Sequence, residues 1–417
     1  MSKDKKILPE LRFPEFSNNE TWADRKLSDV LFEHKEKSTG DEEVYSVSVH
    51  KGVINQIEHL GRVFAASNTE NYKRVLPGDI IYTKSPTGDF PFGIIKQSKV
   101  SKPVIVSPLY GVFKPETAEL GVILEAYFEY PERTINYLSS IVQKGAKNTI
   151  NIHNDIFLSK SLALPLDKRE QRKIASCIIS IDEVIAIHSE KLELLNEHKK
   201  GLIQNLFPIE GERVPKYRFK EFKKDDHWEI KELNELGDLI NGLTYSPTDV
   251  RKDGLLVLRS SNIQNGMIDL KDCVYVRTDI KGANLSKPND ILVCVRNGSK
   301  ALIGKNAIIS KNVPIATHGA FMTVFRTKIP EFVFQLFQTD LYNNQVMAGL
   351  GATINSINGK DFLKYKFPIP KNPKEQQKIA SCLSSLDEII AAQSEIIEQL
   401  KQHKKGLMQR MLPITID

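Results

Sequence analysis

Two long stretches of the chain carry apolar residues with a period of about 3.5, the spacing typical of helices that pair in a coiled coil. These stretches, 166–207 and 372–413, are therefore predicted to be long helices. The predicted contact residues, which we call the seam, are Ile174, Ile178, Ile181, Ile185, His188, Leu192 and Leu195 in the first helix, and Ile379, Leu383, Leu386, Ile390, Gln393, Ile397 and Leu400 in the second. The alternative is that each helix packs only on a neighbouring globular region.

The two helical segments are copies of one another. Residues 170–208 and 375–413 align without a gap, and roughly 23 of the 39 positions are identical. A second repeat, the start motif P-x-x-R-F-x-x-F, occurs as PELRFPEF at Pro9 and as PKYRFKEF at Pro215. Each copy is followed by one of the only two tryptophans, Trp22 and Trp228. The chain is therefore organised as start motif, globular module and long helix, twice over.

The modules show short alternating runs such as VYSVSV and DGLLVLRSSNI, which predict strands, whereas ILEAYFEYPERTINYLSSIV predicts helix. The predicted fold class is α+β. Two pseudo-symmetric α/β domains, 1–158 and (with its linker) 208–365, are joined by two long helices that form an antiparallel coiled coil. The antiparallel order follows from the chain path, because the second module begins where the first helix ends.

The helix starts carry capping signals. Asp167 and Glu170 have capping-box spacing, and Asn372 is a candidate N-cap with Glu375 at the third helical position. His188 and Gln393 are the polar interruptions near the helix midpoints. We predict that they face each other and fix the register. A metal-binding role for His188 is disfavoured, because no other ligand-type residue has suitable spacing beside it.

Composition narrows the function class only slightly. The chain has 417 residues, of which 41% are hydrophobic and 26% charged, with a net charge of +6. This balance is typical of a globular protein and permits a nucleic-acid partner without requiring one. The absence of a signal-like or membrane-spanning segment, and four cysteines without close spacing, predict a cytoplasmic protein with no disulfide framework or zinc site.

No local motif of a familiar enzyme class is present. The sequence has no phosphate-binding P-loop, no strand-GxGxxG-helix unit, no HExxH and no GxSxG elbow. The glycine-rich GLGATIN segment at 349–355 is interpreted as a turn. Together with the duplicated layout, this favours recognition over catalysis, so we predict no catalytic residues and no metal ligands in this chain.

Two similar modules on one pair of helices suit two half-sites on duplex DNA, and the divergence of the modules predicts that the half-sites differ. Basic and amide side chains in loops are the candidate contacts, although any one of them could equally be a solvated surface residue. In the first module they are His50, Lys51, Lys84, Ser85, Thr87, Lys144, Lys147 and Asn148. In the second they are Arg259, Ser260, Asn262, Arg296, Asn297, Ser299 and Lys300.

The start motifs, the shared GDI/NDI turn followed by a polar loop, and above all the repeated E-Q-x-K-I-A-x-x-L/I-S-x-I/L-D-E-x-I helix resemble the specificity subunits of type I restriction–modification systems. The resemblance implies two target recognition domains, each reading half of a bipartite DNA site, and a coiled coil that sets the spacing. It also implies docking of two methyltransferase subunits and two motor-nuclease (restriction) subunits. The complex is expected to use S-adenosylmethionine, ATP and magnesium, none of them bound by this chain.

Two alternatives from other classes stay open at this point. A two-module scaffold that binds protein partners would have loops without clusters of Arg, Lys and Asn. A DNA methyltransferase acting alone would need a nucleotide or S-adenosylmethionine loop.

Overall fold

A computed structural model of the chain describes residues 8–18, 22–61, 69–139, 141, 143–144, 150–350 and 355–414. The chain divides into two compact units, 1–189 with 395–417, and 190–394. Each unit contains one globular module together with part of each long helix. The predicted limits of the modules, 1–158 and 208–365, are not tested by this division and stay a prediction.

The first unit is built around a four-stranded antiparallel sheet. The described strands of this unit are β1 (Ala23–Lys26), β2 (Leu31–Glu33), β3 (Tyr45–Ser48), β4 (Gly52–Asn55), β5 (Lys73–Val75), β6 (Ile80–Tyr82), β7 (Ile95–Gln97), β8 (Val104–Val106), β9 (Gly111–Pro115), β10 (Gln143–Lys144), β11 (Ile150–Asn151) and β12 (Ser161–Leu164). Its helices are α1 (Gln56–Leu60), α2 (Ala118–Phe128), α3 (Pro131–Ser139), α4 (Asn154–Leu158) and the first half of α5 (Lys168–Leu206). The order of the main sheet is β2-β9-β6-β7.

The second unit has two four-stranded sheets. Its strands are β13 (Glu229–Glu232), β14 (Gly237–Asn241), β15 (Val250–Arg251), β16 (Leu255–Leu258), β17 (Ile263–Gln264), β18 (Met267–Ile268), β19 (Val274–Val276), β20 (Ile291–Cys294), β21 (Asn306–Ile308), β22 (Ala316–His318), β23 (Met322–Thr327) and β24 (Lys366–Ile369). Its helices are α6 (Leu233–Leu236), α7 (Pro330–Leu336), α8 (Asp340–Ala348), α9 (Gly359–Phe362) and most of α10 (Pro373–Met411). The sheet β14-β23-β20-β21 is antiparallel, whereas β15-β19-β16-β22 contains one parallel pair, β16 with β22.

The main sheets of the two units have the same connectivity. Strand β9 corresponds to β23 and strand β6 to β20, and both pairs lie at the centre of their sheets. Phe113 and Phe325 occupy equivalent positions, opposite Ile80 and Ile291, and both aromatic side chains are fully buried in their cores. The predicted α+β class, with two similar modules, is confirmed.

Local structure departs from the predicted elements where proline or side-chain capping intervenes. The predicted helix in ILEAYFEYPERTINYLSSIV is two helices, because α2 ends at Phe128 and α3 begins at Pro131. Proline has no N–H to donate and is favoured in the first turn of a helix. In DGLLVLRSSNI the strand ends at Leu258, and a 3₁₀ turn over Ser260–Asn262 follows.

Helices α5 and α10 pair in antiparallel orientation, as predicted. In the first unit Asp182 of α5 pairs with Lys404 of α10 at 2.6 Å, and Glu129 holds the same ammonium group at 2.5 Å. In the second unit Lys199 of α5 pairs with Asp387 of α10 at 2.5 Å. In the first unit an early residue of α5 thus contacts a late residue of α10, and in the second unit a late residue of α5 contacts an earlier residue of α10. Each helix therefore contacts the other helix as well as its neighbouring module.

Burial along the helices follows the predicted seam. All fourteen seam residues are buried or half-buried. The helix ends also close the module cores, with Ile174, Ile178, Met408 and Met411 in the first unit and Ile203, Leu206, Ile379 and Leu383 in the second. His188 and Gln393 belong to different units, so their predicted contact stays a prediction.

A buried carboxylate fastens the first start motif to helix α5. Glu170 accepts two hydrogen bonds from the guanidinium group of Arg12, both at 2.7 Å, and one from Trp22 Nε1 at 3.1 Å. Asp167 Oδ1 accepts from the backbone N–H of Arg169 at 2.8 Å, as an N-cap should. The Glu170 carboxylate, which has capping-box spacing to Asp167, is buried and is held by the start motif.

The second unit repeats this arrangement, which we call the start clamp. Glu375 accepts from Arg218 Nε and Nη2 at 2.7 and 2.8 Å and from Trp228 Nε1 at 3.3 Å. These hydrogen bonds raise the pKa of the Arg218 guanidinium above its ordinary value. Asn372 caps the helix by accepting from the Lys374 N–H at 3.0 Å. The repeated start motif is thus explained by a repeated buried ion pair.

Candidate nucleic-acid interface

A repeated aspartate anchors the strand that leads to the candidate loop in each module. Asp79 lies directly before β6, is buried, and its Oδ2 accepts from the Leu76 N–H at 2.7 Å. Asp290 lies directly before β20 and accepts from the Lys287 N–H at 2.7 Å. Each strand runs from its anchored aspartate to a polar loop, which starts at Lys84 in the first module.

The cations that face these two aspartates differ. His34 Nε2 lies 2.8 Å from Asp79 Oδ2, whereas Arg326 Nη2 lies 2.7 Å from Asp290 Oδ2. The hydrogen bond to Asp79 raises the pKa of His34 above its ordinary value of 6.5, although burial of the imidazole and the charge of Lys73 oppose the rise. The first module therefore has a titratable ion pair where the second has a permanent one.

This difference predicts a pH-dependent contribution in the first unit only. A raised folded-state pKa means that the stabilisation by His34 is fully present below pH 6.5 and is lost as the pH rises through the folded-state value. We expect the stability difference between wild type and His34→Gln to shrink between pH 6 and pH 8. The measurement is hydrogen exchange of first-unit peptides over that range.

The matched control is Arg326→Gln, whose effect on second-unit peptides should not change between pH 6 and pH 8, since arginine does not titrate there. Burial lowers the pKa of His318 and Arg326 lowers it further, so both comparisons are made in a His318→Gln background, which removes this titration. A pH-independent effect of His34→Gln would contradict the prediction.

The predicted loops of the second module meet at the end of strand β20. Asn297 links them, because its Nδ2 donates to Ser260 Oγ at 3.1 Å and its backbone N–H donates to the Asn355 carbonyl at 3.3 Å. Its Oδ1 accepts from the Ser299 N–H at 3.0 Å. The side chain of Asn297 therefore organises the surface on which its neighbours are presented.

Arg296 and Lys300 are the exposed cations of this loop. The Arg296 guanidinium carbon lies 5.8 Å from the centroid of the Phe321 ring, in cation–π geometry. Phe321 belongs to the connection between β22 and β23 and was not among the predicted contacts. Its signal in the sequence, a phenylalanine at a strand entry, cannot be told from an ordinary core residue.

Two other predicted residues of this module have structural partners. Arg259 Nη2 pairs with Asp272 at 2.7 Å. Asn262 is fully buried, its Oδ1 accepts from the Arg259 N–H at 2.9 Å, and its Nδ2 donates to the carbonyls of Asp269 and Asp272, both at 2.9 Å. The structure contradicts the prediction of Asn262 as a DNA contact, since its side chain is enclosed and shapes the loop.

In the first module the polar loop after β6 begins with a constrained turn. Lys84 has a φ of 61°. A Cβ atom at position 93 would lie 2.7 Å from the backbone nitrogen of Lys84, so only glycine fits at position 93. Burial lowers the pKa of the Lys84 ammonium group. Ser85 is exposed, and Thr87 exchanges two backbone hydrogen bonds with Phe90, both at 3.0 Å.

The remaining first-module candidates are less closely connected. His50 and Lys51 are exposed in the turn between β3 and β4, and no hydrogen bond in the described part of the chain joins this turn to the Lys84 loop. Lys144 lies in strand β10, where only its backbone is described. Lys147 and Asn148 lie outside the described residues. All of these remain predicted contacts.

Within the described ranges, no helix has both the length and the apolar character needed to cross a bilayer. Among the same residues, His, Cys, Asp and Glu side chains form no group of three or more that could hold a metal ion.

Residues 225–402 match the family model described as "Type I restriction modification DNA specificity domain". The EcoKI specificity subunit of Escherichia coli (strain K12) is 28% identical over 199 residues, which is 45% of this chain and 42% of that protein. The MjaVIII specificity subunit of Methanocaldococcus jannaschii is 25% identical over 290 residues, 66% of each chain. The matched region thus spans less than half of the Escherichia coli relative.

Solved structures share the fold over nearly the whole chain. The type I restriction-modification S subunit from M. genitalium superimposes with a TM-score of 0.61 at 12% identity, covering 98% of this chain and 100% of the other. A chain from a study of assembly and conformational transition of the type I R-M system gives a TM-score of 0.51 at 16% identity, covering 94% and 97%. In its repeated helices, its paired modules, the matching family model and this shared fold, the chain is similar to type I restriction–modification specificity subunits.

Proposed function

We propose that the chain is the DNA-reading subunit of a type I restriction–modification complex and has no catalytic role of its own. Each module reads one half of an asymmetric bipartite site on duplex DNA. The loop cluster of the second module is the observation that carries the proposal, because Arg296 and Lys300 are exposed among hydrogen-bonded amides. Such cations bind phosphates and guanine edges.

The paired helices supply the spacing and the docking surface in this proposal. Outside the seam they leave large apolar side chains exposed, namely Ile179, Val184, Ile187, Leu194, Ile389 and Ile396. Exposed apolar side chains at such density on paired helices favour a protein partner. The partners we propose are two methyltransferase subunits and, for restriction, two motor-nuclease subunits.

Under this proposal the complex acts in the cytoplasm. S-adenosylmethionine, ATP and magnesium are bound by the partner subunits, and this chain contributes the choice of sequence. In this proposal the polar loops described above form the surface that contacts DNA.

The test is to co-express the chain with its methyltransferase subunit and to map adenine methylation across a genome. We expect one bipartite, asymmetric motif. Exchanging 17–158 for the same module of another specificity subunit should change one half of the motif and leave the other half unchanged, since each module folds in its own unit. Stable assembly without sequence-specific methylation would instead indicate a scaffold that binds proteins only.

A further inference from the structure

Phe321 is a large apolar side chain held out into solvent. It is 56% exposed at the end of the connection between β22 and β23. Its backbone is fixed, because its carbonyl accepts from the N–H groups of Val295 and Arg296 at 3.0 and 3.1 Å. The turn before it is closed by a hydrogen bond from Met322 N–H to the Gly319 carbonyl at 2.8 Å. A rigid, exposed aromatic ring is unfavourable in water, so its position favours a contact with a partner.

Arg296 covers one face of this ring. Its guanidinium group lies 5.8 Å from the ring centroid, and in the described part of the chain no carboxylate lies within ion-pair distance of it. Arg259, by contrast, is neutralised by Asp272 at 2.7 Å. The donors of Arg296 are therefore oriented by the ring and remain available to a ligand.

Building on the proposed function, we propose that Phe321 and Arg296 together determine part of the second half-site. The Phe321 ring contacts the C5-methyl group of a thymine, and Arg296 donates two hydrogen bonds to O6 and N7 of the adjacent guanine. The thymine methyl group and the guanine O6 and N7 atoms are all exposed in the major groove. A ring covered on one face by a guanidinium group is poorly suited to insertion between two stacked bases, which favours the methyl contact over a minor-groove wedge.

The surroundings and the first module support this assignment. Exposed Lys300 lies in the same loop as Arg296 and follows Ser299, whose N–H donates to Asn297 Oδ1. A phosphate contact at Lys300 would fix the register of the duplex. In the first module the equivalent connection, between β8 and β9, also carries an exposed apolar residue, Leu109, which is 74% exposed. The two modules share an apolar loop tip at the entrance to the central strand.

The experiment uses the purified complex with its methyltransferase subunit and duplexes that carry the mapped motif. Replacing the second-half-site thymine by deoxyuridine removes only the C5-methyl group. For wild type we expect the Kd to rise about fourfold, the equivalent of one lost apolar carbon. For Phe321→Ala we expect weaker binding to the thymine duplex and no further loss with deoxyuridine. For Arg296→Ala, discrimination of the guanine should fall about 5- to 150-fold.

The control is Ile315→Ala, which removes another exposed apolar side chain, directly before β22, and should keep the full deoxyuridine effect. A deoxyuridine effect that persists in Phe321→Ala, or a half-site without adjacent thymine and guanine, would overturn the inference. So would tighter binding to a duplex unstacked at that step, which would identify a wedge. These failures leave the bipartite motif intact, whereas failure of the proposed function would abolish it.

Discussion

Replacing Glu375 with alanine is expected to lower the free energy of unfolding of the second unit by about 3–5 kcal/mol, because Arg218 then stays buried without its carboxylate. The substitution also removes the acceptor of all three hydrogen bonds of this start clamp, two from the Arg218 guanidinium group and one from Trp228 Nε1. Hydrogen exchange of peptides from 229–369 measures the effect within the unit.

The control for this prediction is Lys364→Ala in the same unit. Lys364 is exposed and its ammonium group pairs with Asp361, three residues away, at 3.4 Å, so its loss should change stability by less than about 0.5 kcal/mol. First-unit peptides should exchange as in wild type in the Glu375 variant. Equal effects of the two substitutions would show that the clamp is not a buried ion pair in solution.

Replacing Lys404 with methionine is expected to destabilise the first unit by about 2–3 kcal/mol, a value reduced for the partial exposure of its partners. Methionine keeps most of the apolar part of the lysine side chain, so the change in stability measures the effect of removing the charge. Glu129 and Asp182 would face each other without a cation. Although burial lowers it, these two carboxylates raise the pKa of Lys404 above its ordinary value.

Lys199→Met is the matched comparison in the second unit. The Lys199 side chain is 15% exposed against 7% for Lys404, and within the described residues it pairs with one carboxylate, Asp387. Gln335 Nε2 continues to donate to Asp387 at 2.7 Å after the lysine is gone. We expect a loss of about 1 kcal/mol, measured by hydrogen exchange in each unit. A larger loss for Lys199 than for Lys404 would contradict the explanation.

The long helices were predictable because their signal is periodic and occurs twice. Neither copy of the start motif, by contrast, indicates where its arginine goes. Arg12 and Glu170 are separated by 158 positions, and only the fold brings them together. The repeat did contain the necessary information, since Arg12, Trp22 and Glu170 all recur at nearly one offset, but local capping spacing suggested a different partner for Glu170.

The candidate interface was predictable by residue type and not by exposure. Loops rich in Arg, Lys and Asn were found, and two of them do meet in the second module. Asn262 and Arg296 look alike in the sequence, as polar residues that follow a strand. One is enclosed by its own loop and the other is exposed, because burial depends on which carbonyl groups the turn directs inward.

The anchored aspartates of the main sheets have a consequence for how such a protein changes over generations. Asp79 and Asp290 hold the starts of β6 and β20, while the candidate DNA-contact loops follow the opposite ends of these strands. Substitutions in a loop therefore leave the anchor and the core beneath it undisturbed. Under the proposed function, selection for a new DNA target is thereby separated from selection for stability, and each module can change its target sequence on an unchanged scaffold.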